Sequence, residues 1–121
     1  MYNFNGTVGT IVCADTLDDI SAIAKMAPNL IVAEPTALIG TGQMSDMDYV
    51  RDTIRIVRDI NPEIMVLQGA GISNGQDVYN VIHAGAFATG STSGIIKAAD
   101  PVAMTEEMIS ALRLAWDELH V

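Results

Sequence analysis

Short apolar runs alternate with amphipathic segments along this chain, and the alternation predicts an α/β fold. The four runs that predict strands cover residues 10–14, 30–33, 64–67 and 86–89, of which the last is only weakly hydrophobic. Each run is followed by polar or Gly-rich residues and then by a segment with apolar positions at helical spacing. Consecutive units of this kind place their strands in one parallel sheet, because each helix returns the chain to the end of the sheet at which the previous strand began.

Capping residues mark where several of the helices begin and end. Ser45 and Asp48 have the spacing of a capping box at the start of the second helix. Gly85 is placed to end the third helix in a left-handed conformation. The pair Asp100-Pro101 predicts an N-cap and a first-turn proline for the last helix.

The length of the chain limits the architecture. A chain of 121 residues has room for four strand-helix units and is expected to form a single domain over residues 1–121. A closed (β/α)₈ barrel takes at least about 200 residues, so this chain cannot form one alone. An open arc of four parallel strands has two unpaired edges and an inner face that its own helices leave uncovered. We therefore expect another chain to cover them.

Composition and charge narrow the range of ligands. The chain is 50% hydrophobic and 17% charged, which is enough apolar surface to build a core. Six Lys and Arg against 15 Asp and Glu give a net charge of -9, which disfavours nucleic acid and anionic membranes as partners. A phosphate-bearing ligand would accordingly have to be held by local backbone N–H groups.

The cysteine usage and the N-terminal segment predict a cytoplasmic protein. Cys13 is the single cysteine, so the chain can form no internal disulfide and has no zinc-binding spacing. We expect its side chain to be a small buried hydrophobe. Residues 1–10 lack the basic and long apolar regions of a signal peptide, and no apolar run approaches the roughly 20 residues of a membrane span.

Candidate binding chemistry follows the predicted strands, since ligands of parallel α/β folds bind at the carboxyl ends of strands. Glu34 directly follows the second run, and turns rich in Gly, Ser or Thr at 68–75 and 90–94 follow the third and fourth. Such turns present free N–H groups that can bind an anion. Each feature also has a simpler interpretation. The Gly-rich turns can be tight turns that bind no ligand, and Glu34 can be a helix-capping or solvated carboxylate.

The histidines and lysines of the chain are not expected to join this set. His83 is placed to interact with the C-terminal dipole of the third helix, and His120 lies in the tail. Lys25 and Lys97 both fall away from the carboxyl ends of the predicted strands.

Several segments together resemble a known family. The run Glu34-Pro35-Thr36-Ala37-Leu38-Ile39-Gly40-Thr41-Gly42, after an apolar strand, resembles the catalytic-glutamate strand and lid loop of the triosephosphate isomerase family. Segments 61–63, 69–78 and 93–101 resemble the archaeal type of that family, in the same order and at the same spacing. The resemblance extends over about residues 9–110 and is to the second half of the enzyme only, strands five to eight.

This resemblance implies the parallel (βα)₄ half of a TIM (β/α)₈ barrel, completed by association with another chain. Glu34 corresponds to the general base that moves a proton between adjacent carbons of a triose phosphate. The lid-loop positions are Pro35, Thr36, Ala37, Leu38, Ile39, Thr41 and Gly42. The positions implied for binding the substrate phosphate are Gly40, Gly71, Ser73, Thr92 and Ser93. No metal or organic cofactor is implied, because a carboxylate base can move a proton without either.

The resemblance leaves the activity of this chain open between alternatives. The lysine and the electrophilic histidine of the family belong to its first half, so an N-terminal half-barrel chain would have to supply them in a split enzyme of central carbon metabolism. Alternatively, the chain associates with another copy of itself and binds phosphate compounds without isomerase activity. A different phosphate-binding βα family is a third interpretation, which the specific lid segment disfavours.

Overall fold

The computed structural model describes residues 8–41, 43 and 45–121. Four strands form one parallel sheet in the order β1-β2-β3-β4, namely β1 (Ile11–Ala14), β2 (Leu30–Ala33), β3 (Met65–Gln68) and β4 (Ala88–Thr89). The helices are α1 (Leu17–Ala24), α2 (Met47–Ile60), α3 (Gly75–His83), α4 (Ser93–Ile96) and α5 (Pro101–Leu119), with a 3₁₀ turn at Thr36–Leu38. The predicted alternation of strands and helices is confirmed, and the sheet is half of a TIM barrel.

Two of the predicted helix caps are confirmed and one is wrong. Asp100 caps α5 by accepting two backbone N–H groups, and Gly85 is left-handed after α3 with φ 108°. The predicted capping box of Ser45 with Asp48 does not form. Asp46 is the N-cap of α2 instead, and its carboxylate accepts the N–H of Asp48 at 2.8 Å. Two good capping residues stand next to each other here, and the helix begins after the second of them.

The core lies between the sheet and the helices, while the opposite face of the sheet is open. Ile31 and Ala33 point toward the helices and are fully buried. Leu30 and Val32 alternate with them on the inner face and are only half-buried. The remaining buried apolar residues of the core include Ile20, Val50, Val57, Val81 and Ile82. The expectation of an uncovered inner sheet face is therefore confirmed.

Cys13 corrects a prediction about burial. It was expected to be buried, but it is exposed. The parallel register pairs it with Val32 on the inner face, where β1 forms an edge of the sheet. Ile11, on the same face of β1, is 69% exposed. The prediction was wrong because the burial of these side chains depends on a covering layer that this chain does not provide.

The longest helix, α5, packs along α3 and against the end of the sheet. Phe87, just before β4, meets Trp116 edge to face with ring centroids 6.3 Å apart. Val102 and Ile109 of α5 are exposed. Among the residues that the structure describes, no helix combines the length and the apolar character needed to cross a membrane.

Gln68 provides a test of the packing between sheet and helices. Its side chain is 1% exposed, and neither amide atom has a hydrogen-bond partner among the described residues. We expect Gln68→Met to raise the free energy of unfolding by about 1–2 kcal/mol, because it keeps the length of the side chain and removes an unpaired buried amide. Urea unfolding measures this, with the exposed Gln43→Met as the control that should change nothing. A lower unfolding midpoint for Gln68→Met would show that the amide is satisfied.

Candidate active site

Glu34 extends the inner face of the sheet beyond the end of β2. It continues the alternation of Leu30 and Val32, so its side chain points to the same open face. The ladder continues on both sides of it: the N–H of Glu34 donates to the carbonyl of Ala14 at 3.0 Å, and the N–H of Gly69 donates to Ala33 at 3.0 Å. The backbone therefore fixes Glu34 directly beside the start of the turn that follows β3.

The Glu34 carboxylate lies against this turn. A Cβ added to Gly69 would stand 3.1 Å from Glu34 Oε2 and 3.3 Å from Cδ, so the absence of a side chain at residue 69 makes room for the carboxylate. The next two residues, Ala70 and Gly71, are both left-handed, with φ 64° and 71°. Ala70 is strained in this conformation. The turn consequently bends sharply and brings Gly71 to the same opening as Glu34.

A cavity of about 560 Å³ opens at the carboxyl ends of β2, β3 and β4. Its lining includes six of the predicted site residues, namely Glu34, Ile39, Gly40, Gly71, Thr92 and Ser93. The rest of the lining is apolar or glycine, apart from the hydroxyl of Ser91: it comprises Leu67, Gly69, Ala70, Ile72, Gly90 and Ser91. The structure thus brings together three chain segments, the first of which carries the Glu34 carboxylate. In the sequence these segments are spread over about 60 residues.

The turn after β4 presents unused donors to this cavity. The backbone N–H groups of Thr92 and Ser93 have no acceptor within the part of the chain that the structure describes. The turn is tied to the one after β3, because the hydroxyl of Ser91 donates to the carbonyl of Ile72 at 2.6 Å. Gly94 packs closely against the turn after β3. A Cβ added to Gly94 would be 2.8 Å from the Cα of Ser73 and closer still to the carbonyl oxygen of Ile72.

Ser73 lies in a neighbouring cavity rather than in the one that holds Glu34. Its N–H and its hydroxyl both donate to Asp77 Oδ2, at 3.0 and 2.9 Å. A phosphate at Ser73 would have to compete with this carboxylate for the same two donors. Its role as a phosphate ligand stays a prediction, and the capture by Asp77 is a feature that sequence reasoning missed.

The position of Lys97 corrects another expectation. It was placed away from the strand ends, but it follows α4 and lines the second cavity together with Ser73 and Ser93. This cavity has a volume of about 340 Å³. The sequence analysis did not predict α4, a single helical turn that folds the chain back after β4. A Ser-Gly pair before two isoleucines gives no distinctive periodicity from which so short a helix could be recognised.

The segment that follows Glu34 is anchored at its first turn. The N–H of Thr36 donates to Asp15 Oδ1 at 3.1 Å, and the hydroxyl of Tyr49 donates to the carbonyl of Asp15 at 2.8 Å. Burial raises the pKa of Tyr49, and the negative charge of Asp15 raises it further. Tyr49 therefore remains a donor at neutral pH and holds the start of α2 to Asp15, whose carboxylate holds the base of the predicted lid loop.

The rest of the predicted lid loop is not buried: Pro35 and Leu38 are half-buried, and Thr36, Ala37, Ile39, Gly40 and Thr41 are exposed. Pro35 precedes the 3₁₀ turn, Ala37 lies within it, and Gly40 is left-handed with φ 75° and open space around its Cα. The hydroxyl of Thr41 donates back to the carbonyl of Leu38 at 2.7 Å. Gly42, also assigned to the lid, lies outside the described residues.

The two histidines lie elsewhere in the described chain. His83 is in the last turn of α3, as predicted, with Nε2 3.8 Å from a carboxylate oxygen of Glu118. His120 stacks on Trp116 with ring centroids 3.8 Å apart. The described residues contain no cluster of three His, Cys, Asp or Glu side chains placed to hold a metal ion.

The fold and the site together define a half-barrel of the βα class with a carboxylate facing two Gly-rich turns. The sequence model of the triosephosphate isomerase family matches residues 5–107, and the chain belongs to this family. The triosephosphate isomerase of Methanocaldococcus jannaschii is 38% identical over 103 residues, which cover 83% of this chain and 47% of that enzyme. That of Methanosarcina mazei is 36% identical over 102 residues, covering 82% and 46%. The chain spans about half the length of the curated relatives it matches.

Comparison with solved structures supports the architecture alone. The Amycolatopsis orientalis BexX/CysO complex contains a chain that superposes with a TM-score of 0.70 at 18% identity, covering 87% of this chain and 41% of that chain. Mandelate oxidase with benzoyl-formic acid superposes with a TM-score of 0.63 at 19% identity, covering 89% and 35%. Identities this low carry no information about activity, and the coverage agrees with a partial barrel.

Gly94 and Gly90 form a matched pair for testing how the two turns are held together. We expect Gly94→Ala to lower the free energy of unfolding by about 1–3 kcal/mol, because the new methyl group collides with the backbone of Ile72 and Ser73. An added Cβ at Gly90 meets nothing within 4 Å, so Gly90→Ala should change stability by less than about 0.5 kcal/mol. Urea unfolding of both variants measures the difference, and equal stabilities would contradict the close contact of the turns.

Proposed function

We propose that this chain is the half of a triose-phosphate isomerase that carries the base and the phosphate-binding turns. The completed enzyme interconverts glyceraldehyde 3-phosphate and dihydroxyacetone phosphate. The observation that supports this most strongly is the single cavity shared by the Glu34 carboxylate and the free N–H groups of Thr92 and Ser93. A carboxylate at one end and anion-binding turns at the other suit a short substrate with a phosphate at one end.

The proposed chemistry needs one carboxylate that removes and returns a proton. Glu34 takes a proton from the carbon next to the substrate carbonyl, and the electron pair of the broken C–H bond moves into an enediolate. The protonated Glu34 then returns the proton to the neighbouring carbon. The hydroxyl proton passes from one substrate oxygen to the other through the donor that a second chain would supply, so that aldehyde and ketone exchange places. Gly40 of the lid loop, Gly71 and the N–H groups after β4 would hold the phosphate away from this reaction.

The negative oxygen that develops on the enediolate needs a donor that this chain does not place in the cavity. No histidine or lysine lines the Glu34 cavity among the described residues. Loss of one such donor typically lowers the rate by roughly 10²–10³. We therefore propose that the chain is nearly inactive alone and that a second chain supplies both a lysine and a histidine.

The open face of the sheet supports an obligatory partner. Ile11 and Cys13 are exposed on the inner face, where Leu30, Val32 and Leu67 are only half-buried. In a closed barrel, side chains of the other strands would fill this space and pair with the free edges of β1 and β4. The proposed partner is an N-terminal half-barrel chain, and its attachment would both cover this surface and bring the missing groups to Glu34.

We place this activity in the cytoplasm, as the isomerisation step of glycolysis and gluconeogenesis. The single cysteine is consistent with a reducing compartment. The net charge of -9 disfavours nucleic acid and membrane surfaces as further partners.

Complementation tests the proposal. The chain is mixed with a polypeptide that comprises strands one to four of an archaeal relative. Isomerisation of glyceraldehyde 3-phosphate is followed by a coupled assay. We expect turnover only in the mixture. Glu34→Gln and Glu34→Asp should lower kcat by about 10²–10⁴ with KM changed by less than about threefold, because they affect proton transfer rather than phosphate binding. Glu63→Gln, at an exposed turn far from the cavity, is the matched control and should leave both parameters unchanged.

Three results would contradict the proposal. An equal kcat for the mixture with Glu34→Gln and the mixture with the unchanged chain would show that Glu34 is not the base. An inactive mixture, together with a stable even-numbered oligomer of the chain alone in light scattering, would instead establish the phosphate-binding module that pairs with its own copy. A chain that remains a monodisperse monomer at high concentration would contradict the need for any partner.

A further inference from the structure

The cavity that contains Ser73 adjoins the cavity that contains Glu34, because Gly40 and Ser93 line both of them. A phosphate bound by the N–H of Ser93 would therefore border the second cavity. The residues that line the second cavity could therefore contact those phosphate oxygens that point away from Glu34. They are Gly40, Thr41, Ser73, Ser93, Gly94, Lys97, Ala98 and Met104.

Lys97 carries the one charge in this lining. Its side chain is exposed and forms no ion pair with any carboxylate among the described residues. Three of the arginines behave differently, since Arg51, Arg55 and Arg113 each pair with an aspartate of their own helix. The ammonium group of Lys97, on its flexible four-carbon stem, is therefore free to meet a ligand.

Two of the three hydroxyl groups in this cavity, those of Ser73 and Thr41, already donate to other groups of the chain. Ser73 already gives both donors to Asp77, and the hydroxyl of Thr41 donates to Leu38. A dianionic ligand must also approach a chain with a net charge of -9. A local cation next to the free N–H groups would offset that repulsion where the ligand binds.

We propose that Lys97 binds the phosphate group of the substrate through its ammonium group, at the junction of the two cavities. This inference rests on the proposed function, because it takes the turn after β4 as the phosphate site. It adds a charged contact to a cradle otherwise made of neutral backbone donors. A charged donor is the stronger and more salt-sensitive kind of hydrogen bond.

Titration with inorganic phosphate, followed by ¹H–¹⁵N NMR spectra of the full chain, tests this contact. We expect Lys97→Met to raise the Kd for phosphate roughly tenfold and to flatten its dependence on salt concentration. Lys97→Arg should stay within about threefold of the unchanged chain, since it keeps the charge. Lys25→Met is the matched control: Lys25 follows α1 as Lys97 follows α4, is exposed, and lines neither cavity.

The outcomes separate this inference from the function on which it rests. If the unchanged chain binds phosphate and Lys97→Met binds it as tightly as Lys25→Met does, Lys97 does not bind phosphate, but the phosphate site at the turn after β4 remains supported. If Lys97→Met and Lys97→Arg weaken binding equally, the side chain acts by its shape and the charged contact is wrong. If phosphate shifts no resonance of Thr92, Ser93 or Lys97, both the cradle and the lysine contact are wrong.

Discussion

The parallel ladder that continues past the ends of β1, β2 and β3 is the constraint on which the site depends. Two hydrogen bonds, from Glu34 to Ala14 and from Gly69 to Ala33, set the register at the point where the strands end. A slip of one residue would turn Glu34 toward the helices, because successive side chains point to opposite faces. The missing side chain at Gly69 then lets the carboxylate lie across the neighbouring strand end and face the turns beyond it.

The uncovered sheet and the incomplete chemistry have one structural origin. A layer of side chains on the inner face of a barrel and the groups that complete its site both come from strands on the far side of the barrel. This chain contributes four strands, so Ile11 and Cys13 stay exposed for the same reason that no histidine or lysine of the described residues lines the Glu34 cavity. In the proposed split enzyme, a second half stabilises the fold and supplies the missing donors in one step.

Local rules predicted much of the fold and the centre of the site. Apolar periodicity placed the strands to within about two residues, and the position of Glu34 at a strand end followed from that pattern. The cap at Asp100 was predictable because it depends only on its near neighbours. The exposure of Cys13 was not, because it depends on a layer outside the chain. The place of Lys97 in the second cavity depends on a helical turn that is too short to show a period. The contact of Asp77 with Ser73 depends on which of several nearby N–H groups its carboxylate meets.

Deuterium exchange into dihydroxyacetone phosphate tests the central claim most directly, because it reports proton removal before any product is released. The substrate is incubated in D₂O with this chain, with a complementing half, with both, and with both when this chain carries Glu34→Gln. ¹H NMR then follows the C–H signal next to the carbonyl. The account predicts loss of that signal only when both halves are present and residue 34 is glutamate. Equally fast exchange with Glu34→Gln would contradict it.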